Sequence, residues 1–426
     1  MDNWLKVKLS DVADIKLSNV DKKTKDNEKT IKLCNYTDVY KNSFISSDKA
    51  KNFMIASCND NEYEKFLLQE GQVVITKDSE TPDDIGISTY INENFDDVVL
   101  GYHLSLLTPN KEKLNGKFLN YWFYTKQIKK YFENNAGGSG QRCSLNLDII
   151  KSIPLFLPQI EEQQKIASIL FSLDKKIELN NKINQELEKM VKTLYDYWFV
   201  QFDFPDVNGK PYKSSGGEMV YNKELKREIP KEWEVVSLNK FCDYLEGPGI
   251  TKDKYSEKGH KFINIKCIKN NDLDLSNASM IKEEYIDKYK HFLLKEKDIL
   301  VSTSGTLGRL AIVRKEHIPL LLNTSIIRFR PKIENIFYYL YLYLKSEFFV
   351  NSLKKLATGS IQKNFGPTHL DKMCYFVPNI EIRRKFEQIV KPIIDKQILL
   401  KSENQKLAEI RDFLLPMLMN GQVEVK

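Results

Sequence analysis

The chain of 426 residues is 42% hydrophobic with a formal net charge of +7. That allows two or three domains with substantial cores, and it permits a polyanionic partner without requiring one. Six cysteines without a CxxC pair and five histidines without HxH or HExxH argue against zinc and suit a reducing compartment. No charged-then-apolar leader follows Met1, and the longest apolar run, 337–344, falls far short of the roughly 20 residues that span a bilayer. The expectation is a cytoplasmic protein with no membrane partner.

Read in chain order, the sequence says the same thing twice. Trp4–Leu9 matches Trp233–Leu238 as a short strand-like run, and Glu70–Thr76 matches Glu296–Ser302 as a polar turn leading into a buried strand. Phe118–Tyr124 matches Phe337–Tyr343, both aromatic-rich with helical spacing. Ala136–Arg142 matches Ala357–Lys363 as a Gly-Ser-x-Gln-basic loop, and Pro158–Glu161 matches Pro378–Glu381. Tyr338, Tyr339, Tyr341 and Tyr343 read as core and its margin rather than as base-stacking platforms.

After each of these prolines a 4-3 seam begins. The first runs through Ile166, Leu170, Leu173, Ile177, Asn180, Asn184, Leu187, Val191, Leu194 and Trp198; the second through Phe386, Val390, Ile393, Gln397, Leu400, Asn404, Leu407, Arg411, Leu414 and Leu418. This is helix–helix spacing, and a helix of ~36 residues is ~54 Å long. Asn184 and Asn404 hold the same repeat position and read either as register-fixing seam residues or as a solvated stretch. Pro392 and Pro416 are expected to kink the second helix or delay its regular part.

The predicted architecture is α+β, with two similar globular units at 1–157 and 233–377. A first long helix spans 158–200, a turn-rich linker 201–232, and a second long helix with its tail 378–426. If the two helices bury their stripes against each other antiparallel, a pseudo-two-fold relates the halves. Such a monomer imitates a symmetric dimer and suits an asymmetric, two-part ligand, of which DNA is the foremost example.

Catalytic motifs are missing. There is no Pro-Pro dipeptide for an amine-holding methyltransferase loop, no GxxxxGK[ST] cradle and no complete dinucleotide fingerprint. Asp206, Glu224 and Lys226 fit a loose nuclease pattern but fall in the linker, with no strand run to carry them.

If the two-part ligand is DNA, the candidate reading surface is the loops. Ser139, Gln141 and Arg142, with Ser360, Gln362 and Lys363, sit in the matching loops, where glycine allows close backbone approach and Gln and Arg can address base edges or phosphate. A solvated turn is the competing reading. Thr303, Ser304 and Arg309 form a second candidate, set against Thr76–Pro82 with Lys77 in the first half; here the halves diverge, by drift or because two half-sites differ. Arg328 and Arg330 alternate on a strand-like run and are expected to face solvent or phosphate.

The order of parts resembles the specificity subunit of type I restriction–modification systems. Ile153–Ile166 looks like the start of that family's first conserved helix, Trp198–Pro205 with Asn208–Ser214 like its interdomain passage, and Arg411–Val425 like its C-terminal tail. The resemblance covers the full chain; Glu381–Lys385 departs from the usual Glu-Gln pair. It implies two target-recognition domains, each reading half of a split double-stranded DNA site, on helices that set the spacing and dock two modification subunits. It also implies a non-catalytic chain that binds no cofactor, with S-adenosylmethionine on the modification subunits and ATP and Mg on restriction subunits that could join. An interaction scaffold without DNA binding is the alternative, and a nuclease a further one.

Overall fold

The structure, a computed structural model, describes residues 4–138, 142–304, 307–357 and 364–425. It divides into unit 1, Met1–Leu179 with Gln405–Lys426, and unit 2, Asn180–Asn404. Each unit thus owns a stretch of both long helices.

Unit 1 is built on strands β1 (Ala13–Leu17), β2 (Val73–Thr76), β3 (Ser88–Ile91) and β4 (Leu104–Pro109), ordered β1-β4-β2-β3 with Phe44–Ile45 at the edge. β2 reads Val-Val-Ile-Thr and is buried throughout, as β-branched residues in a central strand should be. Helix Gly116–Phe123 lays Phe118, Leu119, Tyr121 and Trp122 into the same core. A second small sheet pairs Lys29–Cys34 antiparallel with Met54–Cys58 and parallel with Val98–Leu100. Strand Leu5–Lys8 pairs antiparallel with Pro154–Leu157, directly ahead of helix α1 (Ile160–Tyr195).

Unit 2 repeats the plan. Strands β5 (Cys242–Glu246), β6 (Ile299–Ser302), β7 (Leu310–Ile312) and β8 (Ile326–Pro331) are ordered β5-β8-β6-β7. His260–Ile263 pairs parallel with Leu320–Leu322, the counterpart of the parallel pair in unit 1. Glu234–Ser237 pairs with Cys374–Val377 ahead of helix α2 (Ile380–Met419). Helix Phe337–Lys345 buries Tyr338, Tyr339, Tyr341 and Tyr343, so those rings are core. The segment 201–232 is more than turns: it contributes a hairpin, Met219–Asn222 with Arg227–Pro230, and buries Phe202, Phe204 and Ile229.

Within each unit the two helix stretches run antiparallel. In unit 1 Asp174 meets Arg411, and as α1 runs back to Leu170 and Ile166, α2 runs on to Leu414 and Leu418 in the same apolar cluster. In unit 2 Asn180 meets Asn404, while Trp198 packs on Phe386 with ring centroids 5.4 Å apart. Leu170 and Val390 are fully buried; Leu173, Ile177, Leu187, Leu194, Ile393, Leu407 and Leu414 are half-buried seam residues.

The seam is polar in unit 2. Asn180 is buried and donates to Asn404 Oδ1 at 2.9 Å and to Glu403 at 3.0 Å, while Gln397 donates to the Asn184 carbonyl at 3.2 Å. Asn404 in turn donates to Asn181 Oδ1 at 2.9 Å.

Helix α2 is continuous from Ile380 through Pro392 and Pro416, so the expected delay does not occur. An interior proline costs ~3 kcal/mol or more. Buried Val390 and Ile394 on either side of Pro392, and Leu418 and Met419 after Pro416, anchor the helix against that cost.

The departure at the start of the second helix is also resolved. Gln163 is buried and donates to the Pro158 and Lys113 carbonyls at 2.9 and 3.0 Å. Arg383 takes the same place in α2, donating to the Pro378 carbonyl at 3.1 Å and the Glu334 carbonyl at 2.7 Å. A different side chain ties each helix start to its own globular part.

Candidate nucleic-acid interface

A matching set of backbone hydrogen bonds ties the residue after the central strand to a described residue that follows the glycine-rich stretch in each unit. In unit 1 the Lys77 N–H donates to the His103 carbonyl at 3.0 Å, and the Leu145 N–H donates to the Lys77 carbonyl at 2.8 Å. In unit 2 the Thr303 N–H donates to the Ser325 carbonyl at 2.9 Å, and the Phe365 N–H to the Thr303 carbonyl at 3.3 Å. In unit 1 the loop after β2 thus lies beside Leu145 and is further tied by pairing of Cys143 with Ser79 and Ser144 with Asp78, and in unit 2 Thr303 lies beside Phe365.

Further bonds bear out the strand match of Thr76 with Ser302 and correct the loop comparison, which sets Thr303 against Thr76. Gly86 and Gly308 both donate to the strand end, to Thr76 and Ser302 respectively, each at 3.1 Å. Ile87 and Arg309 then donate to the Thr76 and Ser302 hydroxyls. Thr76 therefore corresponds to Ser302, not Thr303, and Lys77 to Thr303. Ala136 and Ala357 each close a helix, yet the stretch from Ala136 to Leu145 is one residue longer than that from Ala357 to Phe365. Pairing Arg142 with Lys363 holds counted from the helix and slips by one counted from the strand.

Within this shared frame the side chains differ. In unit 1 Lys77 Nζ lies 2.8 Å from Asp78 Oδ2, and His103 Nδ1 lies 2.9 Å from the same oxygen. Burial alone would raise the Asp78 carboxyl, but the hydrogen bonds from Lys77 and His103 outweigh it and hold the group below its ordinary value. Arg142 is exposed beside this cluster. In unit 2 Thr303 is buried and its hydroxyl donates to the Thr324 carbonyl at 3.3 Å; Ser304 is half-buried and Arg309 exposed. Glu246, at the end of β5, is raised by burial and faces Gly366, whose added Cβ would stand 3.6 Å from its Oε2.

Ser139, Gln141, Ser360, Gln362 and Lys363 lie outside the described residues. Arg328 and Arg330 do not face a polyanion as expected. Arg328 is buried on Asp243, and Arg330 forks onto buried Asp298 at 2.7 and 2.8 Å. Asp206 spends its carboxylate on the Asn208 and Lys210 N–H groups, closing a turn. No cluster of three or more metal-ligating side chains occurs among the described residues.

The family of the type I restriction modification DNA specificity domain matches residues 1–189 and 230–411, once in each half. The chain belongs to this DNA specificity family. Among relatives of that kind, the MjaIX specificity subunit of Methanocaldococcus jannaschii is 28% identical, over 74% of this chain and 71% of its own. The HindI specificity subunit of Haemophilus influenzae is 26% identical over 78% and 83%. A solved S subunit of a type I system from M. genitalium shares the fold, with TM-score 0.52 and 17% identity over 98% of this chain and 96% of that one. The two DNA specificity domains and the paired helices agree with the α+β repeat read from the sequence.

Sequence reasoning missed Asp78 and His103. His103 lies 25 residues from Asp78, and only the crossing of β2 and β4 joins them. It also missed that Arg411 is no flaw in the seam: burial opposes its charge, but the bond and charge of Asp174 hold the guanidinium above its ordinary value.

Proposed function

We propose that this chain is the specificity subunit of a type I restriction–modification complex, each unit reading one half of a split double-stranded DNA target. The observation that carries this is the shared backbone frame filled with unlike side chains, Lys77 and His103 in one unit and Thr303 and Ser325 in the other. A common frame meets the common DNA backbone; unlike side chains meet unlike bases. The paired helices set the gap between half-sites, which for reading heads about one DNA turn apart is ~34–36 Å.

The helices also dock two modification subunits. In unit 1 Leu179 and Ile410 are 51% and 48% exposed, and in unit 2 Leu399 and Met190 are 59% and 57% exposed. The repeat maps each pair onto the other, and equal apolar flanks suit two equal partners. The chain directs chemistry without performing it. S-adenosylmethionine belongs to the modification subunits, and ATP with Mg to restriction subunits where these join.

The test is to assemble the chain with its modification subunit and select from random duplex DNA. A split consensus is expected, and failure to enrich any sequence counts against the reading. Leu179→Glu with Ile410→Glu should cost one modification subunit per complex by native mass spectrometry; retention of two refutes the docking assignment.

A further inference from the structure

We infer that Lys77, braced by Asp78 and His103, is a specificity-determining residue of unit 1 that reads the acceptor-rich edge of a guanine in that unit's half-site. The inference rests on the DNA-recognition reading above and deepens it by separating base reading from phosphate holding.

Geometry gives Lys77 a direction. Its side chain is only 19% exposed and its Nζ is held 2.8 Å from Asp78 Oδ2. Asp78 is fixed in turn by His103 Nδ1 at 2.9 Å, with the Tyr102 ring against the imidazole at 3.6 Å between centroids. Pairing of Asp78 with Ser144 holds the backbone beneath. Among the described residues one of the three ammonium donors is used, on Asp78, and the other two can meet a ligand. A lysine serving phosphate needs no such brace, because it acts as a mobile point charge.

Charge points the same way. Lys77 and Asp78 together carry no net charge, so a phosphate approaching the ammonium also meets the carboxylate. The guanine O6 and N7 are uncharged acceptors and draw the remaining donors without that opposition.

The repeat supplies the third argument. The DNA backbone is the same in both half-sites, so a phosphate-holding position has no reason to change character between units. At the corresponding position unit 2 has Thr303, buried, its hydroxyl already donating to Thr324. Opposite it stands Ser325, whose hydroxyl lies 2.5 Å from Asn323 Oδ1. Among the described residues, the Lys–Asp–His set occurs at this position in unit 1 and not in unit 2.

The experiment uses the full chain assembled with its modification subunit. After selection from random duplexes, each position of both half-sites is changed in turn, and binding is measured for the wild type, Lys77→Thr and Lys77→Arg. The wild type should prefer guanine at one position of one half-site by roughly tenfold, and Lys77→Thr should bring that preference to within about twofold. The other half-site should keep its preferences, and Lys77→Arg should keep guanine. Equal weakening on every duplex with preferences intact would make Lys77 a phosphate contact and overturn the inference, as would unchanged binding. If Lys77→Thr melts early, Lys77→Met, which keeps the aliphatic stem and removes the donors, carries the same expectations. A wild type that selects no sequence sinks the DNA-recognition reading itself; a guanine preference that survives Lys77→Thr sinks only the base assignment.

Discussion

Arg411→Leu is the sharpest test of how unit 1 is held together. Arg411 Nη1 bonds Asp174 Oδ1 at 2.8 Å, and the Tyr121 hydroxyl donates to Asp174 Oδ2 at 2.6 Å. The Asp174 side chain is 4% exposed and that of Arg411 28%. Removing the guanidinium strands a carboxylate in the core with only the tyrosine. Breaking a buried pair from one side costs 3–5 kcal/mol, and the partly wet arginine argues for the lower end, about 3 kcal/mol. That is more than a hundredfold in the folded ratio of unit 1. Asp174→Leu combined with Arg411→Leu should recover most of it and end within ~1 kcal/mol of the wild type, because no charge is left stranded. Urea unfolding followed by hydrogen exchange on unit 1 peptides is the assay, since the two units need not melt together. A single variant costing under ~1 kcal/mol, or a double variant losing the sum of both singles, would refute the argument.

Two further perturbations test the description. Gly86 and Gly308 both hold positive φ, +75° and +79°, but an added Cβ meets the Phe132 ring at 2.3 Å in one and Val350 Cγ2 at 3.2 Å in the other. Gly86→Ala should cost about 3 kcal/mol or more and Gly308→Ala about 1–2, read by thermal unfolding; equal costs would be evidence against the clash. His317 is pushed down to about 4, by burial first and then by the nearby Arg314 charge. Its unfolded form takes up a proton near 6.5 while the folded form resists until about 4, so stability falls as pH drops through that window. The loss at pH 5 is roughly 2 kcal/mol. His317→Gln should flatten this slope in urea titrations at pH 7 and 5, and an unchanged slope would assign it to other groups.

The plan of the fold was legible because it rests on periodic features. The 4-3 seam predicts both helices, and the β-branched run of β2 with its counterpart β6 predicts the central strands. What stayed illegible depends on which strands cross. Nothing local to Arg328 or Arg330 says that Asp243 and Asp298 wait across the sheet. The strand match of Thr76 with Ser302 holds, but the loop comparison that sets Thr303 against Thr76 slips by one residue, because the backbone frame pairs Thr303 with Lys77. Arg383 looked like a departure from Gln163 because sequence compares side chains, and the fold asks only for a donor long enough to reach two carbonyls.

The division of the helices between units has a consequence for synthesis. Unit 2 is one uninterrupted stretch, Asn180–Asn404, whereas unit 1 is closed by Gln405–Lys426. On the ribosome, Ile166, Leu170 and Phe171 emerge long before Leu418 and Met419, which cover them. At 5–20 residues per second the intervening stretch takes roughly ten to fifty seconds to make. During that time the nascent first module keeps an open apolar groove, a natural substrate for chaperones. A frameshift after Asn404 would therefore damage unit 1, whose synthesis begins first, and leave the sequence of unit 2 intact.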